Sequence, residues 1–193
     1  MTEAPVPPTR ARRTSPACLV PPLIAALLVG VLTYALVKPA PDTRLGSTLM
    51  NAPAPDFTLT ALDERPVTLS DLRSKPVVLN FLASWCVPYR QEAPLLRALD
   101  DRNGPGDPVL LGLLFQDREA PARAFIQEFN LKYPTLRDPK LATAIDYGVA
   151  GVHETFFLDA KGVIRHVDRG GLNRERLNES LVKIGVPALQ EQE

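Results

Sequence analysis

Cys86 is the best candidate for chemistry in this sequence. It follows an apolar run at residues 77–82 and precedes a segment in which Leu95 and Leu99 lie one helical turn apart. A strand before the cysteine and a helix after it are therefore expected. The N–H groups of a first helical turn stabilise a thiolate, so we predict a sulfur nucleophile with a pKa below that of free cysteine. The alternative is a small buried residue without a chemical role.

Two segments of the sequence resemble a known family. Residues 85–94, WCVPYRQEAP, are similar to the thioredoxin-fold signature W-C-x-P-C-R-x-E-x-P, with Tyr89 in place of the second cysteine. Residues 147–159, YGVAGVHETFFLD, resemble the Y-G-V-x-G-x-P-E-T-F-x-I-D segment of the CcmG/DsbE family, with His153 in place of proline. Members of that family are membrane-anchored thiol–disulfide oxidoreductases of bacterial cytochrome c maturation. The resemblance covers about residues 54–184 and implies a thioredoxin-like fold.

Tyr89 stands where the resemblance implies a resolving thiol. In the family the first thiolate attacks a substrate disulfide, and the second cysteine then releases the mixed disulfide. A phenol cannot do this, because its pKa is near 10. We therefore predict at most a monothiol mechanism, in which Cys86 forms a mixed disulfide that an external thiol resolves. For the Tyr89 side chain we expect packing against the helix, with a catalytic hydroxyl as the alternative.

His153 stands where the resemblance implies a cis-proline that faces the thiol. A cis bond before a residue other than proline costs about 3–4 kcal/mol, so we expect a trans peptide here. Three roles of the imidazole remain open: a loop histidine without special function, a thiolate–imidazolium pair with Cys86, and half of a metal site. One cysteine and one histidine fall short of a usual zinc site, and we predict no metal and no cofactor.

Three further residues complete the predicted site. Trp85 is expected to be an exposed aromatic beside the thiol that shapes a docking surface. Pro88 fits a first helical turn, where no backbone donor is needed. At Glu154 the resemblance implies a contribution to an acidic surface near the thiol, and a solvated charge is the alternative.

The elements that must position these residues follow from the hydrophobic pattern. An apolar run interrupted by Asn80 predicts a buried strand at 77–82, and a fully apolar run predicts a second at 109–115. Other patterns predict strands at 57–61 and 67–69, helices at 119–129, 138–147 and 174–184, and a hairpin of 155–158 with 163–167. The predicted fold class is α/β, a central mixed sheet with helices on both faces, as the resemblance to a thioredoxin fold also implies.

One transmembrane helix is predicted to precede this domain. Residues 17–37 are uncharged and about long enough to cross a bilayer, and Arg10, Arg12 and Arg13 precede them. The positive-inside rule then leaves the tail in the cytoplasm and the domain in the periplasm, on the bacterial inner membrane. A cleaved signal peptide is the alternative. The predicted organisation is a disordered cytoplasmic tail at 1–16, an anchor at 17–37, a linker at 38–54, a thioredoxin-like domain at 55–187 and a tail at 188–193.

Composition narrows the function. The 193 residues carry a formal net charge of zero, so nothing indicates a nucleic-acid surface. The sequence has two cysteines, and the other, Cys18, lies in the predicted anchor, so Cys86 has no partner in its own domain. We predict a periplasmic thiol–disulfide oxidoreductase whose partners are thiol- or disulfide-bearing proteins, apocytochrome c by resemblance. The main alternative is a redox-inactive thioredoxin-fold binding or chaperone-like module. Monothiol peroxide reduction is a third, for which no assisting arginine is evident.

Overall fold

A computed structural model describes residues 20–37, 49–102 and 104–190 of the chain. Helix α1 (Val20–Val37) belongs to one compact unit and all the other described elements to a second, and each unit is described by itself. Several predicted segments lie wholly or partly outside the described residues: the tail at 1–16, residues 17–19 of the anchor, residues 38–48 of the linker, and residues 191–193.

Helix α1 is apolar along its described side chains. Its leucine and valine side chains from residue 27 to residue 32 are 58–68% exposed, namely Leu27, Leu28, Val29, Val31 and Leu32. Within the described residues, no helix has both the length and the apolar character needed to cross a membrane. The transmembrane anchor therefore stays a prediction.

The second unit is built on a mixed sheet, which in its described part has seven strands in the order β2-β1-β5-β4-β3-β6-β7. Strands β3, β4 and β5 are parallel, while the β2–β1, β1–β5, β3–β6 and β6–β7 pairs are antiparallel. The strands are β1 (Thr58–Ala61), β2 (Pro66–Thr68), β3 (Val77–Leu82), β4 (Val109–Leu114), β5 (Thr135–Arg137), β6 (Glu154–Leu158) and β7 (Ile164–Arg169). The predicted mixed sheet is confirmed.

Helices cover both faces of this sheet. They are α2 (Tyr89–Asp100), α3 (Glu119–Phe129), α4 (Ala142–Asp146) and α5 (Arg174–Lys183), together with a short 3-10 helix (Leu69–Leu72). Successive side chains of β3 point to opposite faces, so Val78 and Leu82 join one buried cluster while Leu79 and Phe81 join another. Helices α2, α3 and α5 contribute to the first cluster and α4 to the second. Because both faces of β3 are covered, all six of its residues are buried, and the polar Asn80 among them donates to the Thr155 hydroxyl (2.8 Å).

Two predictions about the elements were wrong. Strand β5 was not predicted, because its three residues are too few to show a period, yet it joins β1 to β4. The helix predicted at 138–147 is shorter, since Asp138 lies before α4 and accepts a hydrogen bond from the Ala144 backbone N–H (3.0 Å). Helix α3 has the predicted bounds.

Candidate active site

The sheet brings Cys86 and His153 together although 67 positions separate them in the chain. Strands β3 and β6 are antiparallel neighbours, with Phe81 opposite Glu154. The chain leaves β3 just before the Cys86 loop and enters β6 just after His153. Both loops therefore lie at the same end of these two neighbouring strands. Helix α2 begins at Tyr89, whose backbone N–H donates to the Cys86 carbonyl (3.1 Å). The predicted position of Cys86 beside a helix start is confirmed.

A chain of side-chain contacts runs from Cys86 through His153 to Glu92. The Cys86 Sγ atom lies 2.6 Å from Nε2 of His153, and His153 Nδ1 lies 2.7 Å from Oε1 of Glu92. Of the three roles left open for His153, this geometry supports the pair with Cys86. The arrangement is that of a nucleophile, a base and a group that orients the base.

Glu92 was not among the predicted site residues. A signal for it existed, because Glu92 is one turn after Tyr89 and one turn before Leu96 on the buried stripe of α2. A carboxylate on an apolar stripe is unusual and requires a partner. Here the partner is His153, which the sequence alone could not place.

The backbone at His153 differs from what a proline would give. No cis peptide bond occurs among the described residues, so the expected trans peptide is confirmed. The φ angle of His153 is +68°, in the left-handed region that histidine visits more readily than most residues. In this backbone conformation the imidazole contacts the thiol. Proline cannot adopt the conformation, because its ring fixes φ near −65°.

The ionisation of Cys86 is opposite to the prediction. Burial raises the pKa of the Cys86 thiol and the Glu92 carboxylate adds to the rise, while the Tyr89 backbone N–H lowers it. The residue is only 8% exposed, so the predicted easily ionised thiol is wrong. Burial also raises the pKa of Glu92, although the hydrogen bond to His153 opposes that rise.

Tyr89 lies inside the domain beside this site. Its side chain is fully buried, with its ring 5.8 Å from that of Phe125 and 5.7 Å from that of His153. Burial raises the pKa of the phenol well above its ordinary value, and the neighbouring Tyr133 phenol adds to the rise. These observations support the packing role and give no support to a catalytic hydroxyl.

Trp85 and Pro88, two further predicted site residues, lie on either side of the thiol in the chain. Trp85 is 55% exposed and its Nε1–H donates to the Gln116 carbonyl (3.1 Å), so the predicted exposed aromatic is confirmed. Pro88 lies at the N-cap of α2, one residue before the helix begins.

Both predictions for Glu154 were wrong, because its side chain is buried. Its Oε1 accepts from the Ala150 N–H (2.9 Å) and its Oε2 from Nε of Arg169 (3.1 Å), the residue opposite it on β7. Cross-strand pairing with an arginine therefore makes Glu154 a structural charge. Within the described part of the chain, no group of three or more histidine, cysteine or acidic residues could hold a metal ion.

Comparison with known proteins identifies the family to which this chain belongs. The profile of the AhpC/TSA family matches residues 50–167. Over 149 residues the chain is 37% identical to the thiol:disulfide interchange protein DsbE of Pseudomonas fluorescens biotype C, covering 76% of this chain and 81% of that protein. The chain belongs to the AhpC/TSA family, among its DsbE-like members.

Two further comparisons agree. The DsbE homolog of Paracoccus denitrificans is 36% identical over 166 residues, 84% of this chain and 89% of that protein. A crystal structure of a putative DsbE from Chlorobium tepidum superposes with a TM-score of 0.64 and 26% identity, covering 70% of this chain and 96% of that one. The thioredoxin-like fold and the resemblance to the CcmG/DsbE family are therefore confirmed.

The two departures of this DsbE-like chain from the family signature are neighbours in space. Tyr89 and His153 contact each other through their rings, and His153 also contacts Cys86. The two replacements thus form one altered site in which a histidine, instead of a second thiol, lies against the cysteine.

Proposed function

We propose that this DsbE-like protein performs thiol–disulfide exchange through Cys86 as a single thiol. The observation that carries the proposal is the 2.6 Å contact between Cys86 Sγ and His153 Nε2, which puts a base at the nucleophile. At neutral pH a thiol whose pKa is raised by burial is largely protonated, so attack requires a group that accepts the proton.

In the first step Cys86 attacks one sulfur of a substrate disulfide while His153 takes the thiol proton. The substrate disulfide breaks, a mixed disulfide with Cys86 forms, and the leaving thiolate takes a proton from the imidazolium. In the second step an external thiol attacks Cys86 Sγ, releases the second substrate sulfur as a thiol and stays bound to Cys86 through a disulfide. A second external thiol attacks the sulfur of that bound group, and Cys86 is released as a thiol. The substrate disulfide is reduced by two electrons and the external thiols are oxidised by two. Tyr89 takes no part in either step.

The partner class follows from this chemistry. Cys86 is 8% exposed while its chain neighbours Trp85 and Val87 are exposed, so a substrate protein would dock on those apolar side chains. By resemblance we propose apocytochrome c, or a protein that handles its thiols, as that substrate.

Membrane attachment in the periplasm is part of the same proposal. Its support is the uncharged run at 17–37, the three arginines that precede it, and the exposed leucine and valine side chains of α1. Recovery of the full-length protein in the membrane pellet after an alkaline carbonate wash would support the anchor. Release into the supernatant would contradict it.

Oxidised glutathione tests the proposed exchange. In full-length protein carrying Cys18→Ser, Cys86 is the only thiol. We expect mass spectrometry to find one glutathione adduct at neutral pH, with release of one reduced glutathione, and no adduct when Cys86→Ser is added. The chain unfolded in denaturant serves as the reagent control. An adduct on the unfolded chain without one on the folded chain would contradict the proposal.

A second candidate is a redox-inactive binding module. The observation that favours it is the burial of Cys86, which is 8% exposed and in contact with His153. The glutathione experiment separates the two candidates, since a module of this kind leaves the folded thiol unmodified.

A further inference from the structure

Glu92 is a buried carboxylate whose position on α2 serves no evident packing purpose. Its side chain is 4% exposed, its Oε1 contacts His153 Nδ1 at 2.7 Å, and a hydrogen bond from the Leu172 backbone also lowers the pKa of the carboxyl. Burial of a charge is costly unless a partner offsets it. A residue that is costly for folding and that contacts the base of a nucleophile is a candidate for a functional role.

The donor and acceptor properties of the three groups define one proton arrangement. An ionised carboxylate only accepts hydrogen bonds, so Nδ1 of His153 must carry the hydrogen in that contact. In the neutral imidazole the Nε2 atom then has a free lone pair, and that lone pair faces the thiol of Cys86. The Cys86 thiol is therefore the donor in this contact, and Nε2 is the acceptor. The imidazolium formed when the thiol loses its proton lies between a thiolate and a carboxylate.

We propose that Glu92 is a positioning residue, which holds His153 in the tautomer that accepts the proton of Cys86 and stabilises the imidazolium that results. Cys86, His153 and Glu92 together form a proton relay. The inference rests on the proposed role of Cys86 as a nucleophile and adds how its thiol is activated. Glu92 touches neither the reacting sulfur nor the substrate, and it acts only through His153.

Other titratable groups face Glu92 and enter any pH dependence. Asp168 of β7 raises the pKa of Glu92, and Asp168 itself is paired with Arg176 of α5 (2.9 Å). Glu92 in turn raises the pKa values of Tyr89, Tyr133 and Cys86. The two phenols have pKa values raised above 10, so they stay neutral while Cys86 is assayed near pH 7. The relay requires ionised Glu92, and it is lost as the pH falls through the raised pKa of that carboxyl.

The relay and a simple charge effect predict opposite results for Glu92→Gln. A nearby negative charge alone raises the thiol pKa, so its removal would speed the reaction of Cys86 at pH 7. In the relay the same charge stabilises the imidazolium, so its removal slows the reaction. The sign of the change therefore distinguishes the two effects.

We expect Glu92→Gln to slow alkylation of Cys86 by iodoacetamide about tenfold at pH 7 and to move the pH–rate profile upward by about one unit. The measurement uses full-length protein carrying Cys18→Ser. The folded protein should lose no stability toward urea at pH 7, because the neutral amide removes the cost of burying a charge. Asp138→Asn is the matched control, since Asp138 is also a buried carboxylate but accepts from the Ala144 N–H on the other face.

The double variant His153→Asn/Glu92→Gln completes the test. If Glu92 acts through His153, adding Glu92→Gln to His153→Asn gives no further slowing. Unchanged or faster alkylation in Glu92→Gln alone would overturn the relay. Alkylation needs no disulfide, so the two proposals fail separately. Glu92-dependent alkylation without a glutathione adduct would keep the relay and refute the exchange, and an adduct that forms equally fast in Glu92→Gln would do the reverse.

Discussion

Replacing His153 by asparagine is expected to slow the formation of the Cys86–glutathione adduct about 100-fold at pH 7, the lower end of what a general base contributes. The physical reason is the raised pKa of the buried thiol. A thiol whose pKa lies above that of free cysteine is mostly protonated at pH 7, so a thiol that must ionise unaided reacts only through a small ionised fraction. Asparagine is chosen because it tolerates the positive φ of this position.

The rate of adduct formation in the variant should also depend on pH. In the variant, the rate should rise tenfold per pH unit through neutrality and should approach that of the unaltered protein above the thiol pKa, where hydroxide removes the proton. His166→Asn is the matched control. His166 is the other histidine of the sequence, and it lies on β7 beside Lys183 (3.3 Å). Equal rates for His153→Asn and the unaltered protein at pH 7 would show that the imidazole does not activate Cys86.

The buried strands and the place of Cys86 were predictable because their signals are local. The apolar runs of β3 and β4 can be recognised without knowledge of distant residues, since a strand covered on both faces is apolar at nearly every position. The cysteine at the helix start follows from the same local pattern. Strand β5 was missed because its three residues are held by pairing with β1 and β4 rather than by a pattern of their own.

The two glutamates show where a sequence pattern stops being informative. Both are members of the two family motifs, and Glu154 was assigned to the site while Glu92 was not. The structure reverses this assignment, because the cross-strand neighbour Arg169 holds Glu154 whereas Glu92 lies on the inner stripe of α2 and meets His153. The burial of Glu92 could have been inferred from helical periodicity. The burial of Glu154 depends on strand register, which the sequence does not show.

The thiol pKa was predicted in the wrong direction for a related reason. The helix start was visible in the sequence and favours a thiolate. Burial of the sulfur was not visible, because it depends on residues distant in the chain, such as His153, which lies 67 positions away and contacts the sulfur. In this chain burial outweighs the backbone hydrogen bond. A buried thiol of this kind needs a base to take its proton during the attack. An exposed cysteine at a helix start is already partly ionised before the substrate arrives.

Replacing Tyr89 by cysteine is expected to convert the monothiol site into a dithiol site that closes an internal disulfide. The turn is suitable, because the Tyr89 N–H donates to the Cys86 carbonyl (3.1 Å). Such a turn brings its first and fourth Cα atoms within about 7 Å, and disulfides span Cα separations of about 4.4–6.8 Å. The new thiol would attack the mixed disulfide at Cys86 Sγ, release the substrate as a thiol and leave the protein two electrons more oxidised.

The same change is expected to lower the free energy of unfolding of the reduced protein by about 3 kcal/mol, because cysteine fills only part of the space of a fully buried aromatic ring. The buried ring is the larger part of what the change removes, so the loss arises mainly from packing. Urea unfolding under reducing conditions measures this loss of stability. The loss must be distinguished from the new ability to form an internal disulfide.

Tyr147→Cys provides that separation. Tyr147 is also fully buried, but it packs with Phe81 and Phe156 in the cluster on the other face of the sheet. We expect it to lose at least as much stability, since its hydroxyl also donates to the Pro55 carbonyl (2.9 Å), and to form no disulfide with Cys86. In a Cys18→Ser background, Tyr89→Cys should release glutathione from its adduct while Tyr147→Cys retains it. A persistent adduct in Tyr89→Cys would mean that His153, held over the sulfur by Glu92, blocks the second thiol. His153→Asn added to Tyr89→Cys should then restore release.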